Sequence, residues 1–255
     1  MVSTTSLFTL TTSLRTAASP RMSATTARSE SAGSAPAASS APKKDFATVA
    51  QDARSAIDTA YAARGEKADS STHIDDWRDI MKGMDRRSLY AVFSNAGGQF
   101  SEDERTAAEN LMHEDYWRNL GVDVNDVTSL ERATQDPAAL MKNAVKFWDS
   151  VSDEEKQSPL WAFNRGRSQY DYETQAKDKG ETPENLDTTH PLASAIKSAM
   201  TAASLIDPSL ARSQGMVDTI EGLLGQSWAR GFEEQLKKAA SAATVARGGF
   251  LNGTL

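Results

Sequence analysis

The composition of this chain changes abruptly near Lys43, and that break sets what can fold. Ser, Thr and Ala fill about two thirds of residues 1–42. Such a stretch has too few large apolar side chains to offset the entropy of ordering its backbone. From Asp45 onward, apolar residues return at helical spacing and all five tryptophans appear, from Trp77 to Trp228. The reading is an all-α protein: a disordered segment over 1–44, then an irregular multi-helix bundle or array over 45–255.

Residues 1–29 contain Arg15, Arg21 and Arg28, many hydroxylated side chains and no acid, a composition shared by organellar transit peptides and by unfolded export leaders. It fits neither a basic n-region nor an apolar core of Sec type, and Met22 offers a second start that would leave a shorter tail. The Ala-Pro-rich run at 35–42 reads as a linker. Targeting or export through residues 1–44 and a cytoplasmic chain with a plain tail are both open at this level.

The chain carries a net charge of −7, yet residues 1–44 hold five basic side chains against Glu30 alone, so the body is more acidic than the whole. An acidic body repels a phosphate backbone, and nucleic acid is excluded as the expected partner. With no cysteine, disulfides, thiolate metal sites and a cysteine nucleophile are excluded together. No apolar run reaches the roughly 20 residues a membrane-spanning helix needs, so an integral membrane protein is not expected.

Helix boundaries are written locally. Phe46, Val49, Ala50, Ala53, Ile57, Ala60 and Tyr61 share one helical face that Gly65 can end. Asp85 can cap a helix with Leu89, Tyr90 and Phe93. Ser101-Glu102-Asp103-Glu104 and Ser152-Asp153-Glu154-Glu155 have the form of capping boxes, and Asp136-Pro137 is a cap followed by proline at the first helical position. Leu140, Met141, Ala144, Val145, Trp148 and Val151 form a further stripe, followed by aromatic sequence from Trp161 to Tyr172. The loop-like stretch at 180–190 is a candidate lobe boundary. After His190-Pro191 another helix runs to Asp207-Pro208.

The C-terminal stripe of Val217, Ile220, Leu224, Trp228, Phe232 and Leu236 advances by three or four residues and is drawn as one long amphipathic helix. Gly222, Gly225 and Gly231 oppose an unbroken helix. Such a stripe either packs into its own domain or docks on a protein partner or a second copy, and these six residues are the candidate partner-binding set.

Motifs that carry chemistry are incomplete. His113-Glu114-Asp115 lacks the second histidine of a zinc helix. Asp123-Val124-Asn125-Asp126 opens like a calcium loop, but Thr128 and Thr134 occupy the positions that need glycine and a bidentate glutamate. No phosphate-binding loop or nucleophile elbow occurs, so no cofactor or metal is expected. Arg86-Arg87 and Arg165-Gly166-Arg167 are basic islands, for which exposed pairing with acids such as Asp76, Asp79 or Glu102 is expected. The resulting expectation is a helical protein that works through protein–protein contacts. The alternative is an enzyme whose site is assembled from residues such as His113, Glu114, Asp115 and Tyr116.

Overall fold

The computed structural model describes residues 43–245, apart from residue 124 and residues 213–216. The expected leader therefore lies almost wholly outside the described residues. From Asp45 on, the described residues form one compact unit, helical with no strand among them.

The caps read at Asp85, Ser101 and Asp136 are in place. Helix α1 (Phe46–Arg64) starts at Asp45, whose carboxylate accepts the Thr48 amide, and ends at Gly65 in the left-handed region that a Cβ would penalise. Helix α2 (Ile74–Ile80) follows His73, and α3 (Arg86–Phe93) is capped by Asp85. Helix α4 (Glu102–Asn119) has both halves of the Ser101–Glu104 box. Asp126 caps a short helix α5 (Val127–Thr134) in a stretch expected to be loop. Helix α6 (Pro137–Ser150) starts at Asp136-Pro137 as expected. The box at Ser152 opens only a single 3-10 turn, because the Glu155 side chain is drawn away to Arg86 instead of returning to the cap.

Helix α7 (Pro159–Asp178) and helix α8 (Pro191–Ile206) are the longest elements of the second half. They approach closely at Gly166, where a Cβ would stand 2.6 Å from the Ala193 carbonyl oxygen and 3.1 Å from the Ile196 side chain. Residues 180–190 therefore join two helices of one core. The segment runs back along α7, where the Glu184 amide donates to the Tyr172 hydroxyl and Arg165 donates to the Leu186 carbonyl.

The C-terminal stripe is not one helix. It breaks into α9 (Ile220–Leu224), a 3-10 turn at Ser227–Ala229 and α10 (Glu233–Val245). Gly231 adopts a positive φ of 83° between the last two, a conformation that stops a right-handed helix. Folding the stripe back lets its apolar groups reach one core from several directions.

Apolar burial gathers in two main clusters. The first joins Ile57, Trp77, Ile80, Val92 and Ala108 from α1–α4. The second joins Phe147 of α6, Trp161 of α7, Ile196 and Met200 of α8 and Trp228 of the turn at Ser227–Ala229. Helix α4 serves both, with Ala108 in the first and Tyr116 packed on the second.

Candidate functional site

The basic islands face inward. Arg86 makes a bidentate pair with Glu155, 2.7 Å from Nη2 and 3.0 Å from Nε, and its Nη1 reaches Asp115 at 3.1 Å. Its guanidinium also lies 4.5 Å from the centroid of the Phe147 ring. Arg87 holds Glu154, and Arg165, almost fully buried, holds Asp149 at 2.6 Å and Gln169 at 2.8 Å. The partners are carboxylates far away in sequence, not the nearby surface acids expected. These charge-assisted bonds tie helices together and leave Arg86 and Arg165 unsuited to an external phosphate.

The sequence cluster at 113–116 is divided by the helix. Glu114 turns to Arg78 at 2.6 Å and Asp115 to Arg86. His113 and Tyr116 lie on another face with Glu109, in the i, i+4, i+7 relation that aligns side chains along one side of α4. The Tyr116 ring stacks on Trp148 of α6 with centroids 5.2 Å apart and meets Phe147 edge-on at 5.2 Å. His113 Nε2 accepts a hydrogen bond from Trp117 Nε1 at 3.1 Å, which leaves the second ring nitrogen to carry the proton of a neutral imidazole.

Helix α7 brings Arg167 and Asp171 toward the phenol of Tyr116. They form an i, i+4 pair whose separation, 3.4 Å, is long for an ion pair. Asp171 is half-buried, its side chain keeping 31% exposure. At the other end of the row, Asp218 stands within electrostatic reach of Glu109.

Burial shifts several of these groups. Burial raises the carboxyl of Asp171, with Arg167 offsetting part of the effect. Burial also raises Glu109, and Asp218 adds to it. His113 is lowered by burial against a smaller opposing effect of Glu114, and the Tyr116 phenol is raised by burial and then by Asp171. That Glu109, His113 and Tyr116 share one face of α4 follows from their spacing; that Asp171 of α7 acts on Tyr116 does not.

Of the candidate partner-binding residues, Val217, Trp228 and Leu236 are buried in the chain's own second core, and Ile220, Leu224 and Phe232 pack partly buried against it. The most exposed large apolar side chains among the described residues lie elsewhere. Leu205 and Ile206, at the C-terminal end of α8, keep 84% and 82% of their surface in water. No described helix is long and apolar enough to cross a membrane, and among the described residues no group of three or more acidic or histidine side chains is arranged to hold a metal ion.

Against this geometry, known proteins offer no parallel: no family model, no curated protein and no solved structure matches the chain.

Proposed function

We propose that this protein is a helical protein–protein interaction module that docks through the end of α8. The observation that carries the reading is the adjacent pair Leu205 and Ile206, 84% and 82% exposed, where the other large aliphatic side chains among the described residues are buried or partly buried apart from Leu130 at 37%. Covering one such side chain contributes about 1.5–3 kcal/mol, so the pair is a natural anchor in the centre of a contact. The inward-facing arginines support the same reading, since a body tied by buried ion pairs presents a preformed surface. The composition of residues 1–44 supports a leader role for that segment.

A photo-crosslinking side chain at position 206, with an equivalent at the exposed Glu131 as reference, tests the reading in intact cells. A discrete adduct from 206 that is absent from 131 and is lost on Leu205→Asp is expected. The same adduct pattern from both positions, or none from either, would sink the docking role.

A further inference from the structure

We propose that residues 182–189 form a polar latch that lifts off α6, α7 and α8 as a unit while those helices stay folded. The segment Glu181–His190 has no regular secondary structure and no fully buried residue, and it is longer than most helix–helix connections. Both of its ends are tied to helices. The Glu181 amide donates to the Ala176 carbonyl at 2.9 Å, and the His190 ring accepts the Ala193 amide at 3.3 Å as the cap of α8. Between those anchors the middle is laid across three helices.

The bonds that hold the middle down are mostly polar and half exposed. Asp187 accepts from Gln169 Nε2 of α7 at 2.6 Å and faces Lys197 of α8 at 3.4 Å, while Glu184 pairs with Lys142 of α6. Both carboxylates keep more than half of their surface in water, where an ion pair contributes little. Leu186 adds an apolar foothold, only partly buried against the small cluster of Ala138, Tyr172 and Ala176.

The helices beneath have partners of their own. Arg165 and Gln169, which the segment covers, are almost fully buried. Arg165 is also held by Asp149 of α6 at 2.6 Å, Gln169 Nε2 also meets Glu173 at 3.0 Å, and Lys197 also meets Glu173 at 2.9 Å. Lifting the segment therefore strands no charge among them, and it opens Arg165 and Gln169 to water. An element with few apolar contacts, whose polar partners are bonded twice over, opens at a lower free energy than the core it lies on.

Native-state hydrogen exchange of the full chain in dilute urea, resolved by NMR, tests this. The probe is the Glu184 amide, which is bonded to the Tyr172 hydroxyl only while the segment is down. In the parent it should exchange more slowly than in a free peptide, yet faster than the interior amides of α7 and α8. Its rate should be nearly flat with urea while theirs rise steeply, because lifting exposes little surface. Asp187→Ala and Leu186→Ala should each speed it about tenfold and leave α7 and α8 unchanged, and Glu131→Gln, a remote exposed acid, should alter neither. Exchange of Glu184 in step with α7 and α8, at the same urea slope, would overturn the proposal. So would an unprotected Glu184 amide in the parent, no response to either variant, or variants that speed α7 and α8 equally, which would mark a loss of the whole fold's stability.

Discussion

Arg86 and Glu155 stand 69 residues apart in sequence and meet as a bidentate pair in which the glutamate is nearly fully buried. The pair ties the start of α3 to the turn between α6 and α7. Burial raises the Glu155 carboxyl above its ordinary value even though Arg86 works to lower it, so each partner depends on the other. Arg86→Ala should therefore destabilise the fold by about 3–5 kcal/mol, because it strands a buried carboxylate. Replacing both, as Arg86→Met with Glu155→Leu, should cost much less than the sum of the single changes. Urea unfolding of the four proteins of that cycle measures the difference, and additive losses would show that the two residues act separately.

Glu104 answers to pH in the opposite sense. Its burial raises the carboxyl, but the hydrogen bonds from Arg54, the Ser101 amide and the Tyr61 hydroxyl outweigh that and hold it below its ordinary value. A lowered folded pKa gives stability that is present above the unfolded value, about 4.3, and lost as pH falls through the folded value. Glu104→Gln should cost about 3 kcal/mol at pH 7. The gap to the parent should narrow steadily below pH 4.5 in denaturant titrations. A gap that stays constant with pH would assign the loss to packing.

Asp171 is raised, so its sign is reversed: the associated stability is fully present below about pH 3.9 and declines as pH rises through the folded value. Asp171→Asn should raise Tm at pH 7 and have no effect near pH 3, where the parent carboxyl is protonated in both states. Scanning calorimetry at the two pH values reads this directly. A lower Tm at pH 7 would mean that the Arg167 pairing dominates the carboxylate.

Gly166 lets α7 and α8 approach closely. A Cβ placed there meets backbone, the Ala193 carbonyl at 2.6 Å, which cannot swing aside like a long side chain. Gly166→Ala should destabilise by about 1–3 kcal/mol despite the better helix propensity of alanine. Gly225→Ala, whose added carbon would meet backbone oxygens at an ordinary 3.5 Å and 3.7 Å, is the comparison and should change stability by less than about 1 kcal/mol. Equal effects in thermal unfolding would remove the close-approach argument.

What the sequence settled by itself is local. Asp85, Ser101 and Asp136 cap the helices they were expected to cap, and Asp45, where the folded body was expected to begin, caps α1, since a cap bonds to amides two or three residues away and the apolar period records which face is buried. The same local logic passed over α5, where Asp126 starts a helix of only eight residues with too few apolar positions to show a period. Tertiary structure decided the rest. Arg86 and Arg165 chose distant carboxylates because burial makes a close counter-charge necessary, and sequence spacing holds no record of such partners. The stripe from Val217 to Leu236 broke at Gly231 because a folded-back path buries Trp228 and Leu236 in a core that one straight helix would not supply. The nearness of Asp171 to Tyr116 is likewise a product of packing: side-chain spacing sets which residues share a helix face, and helix packing sets what that face meets.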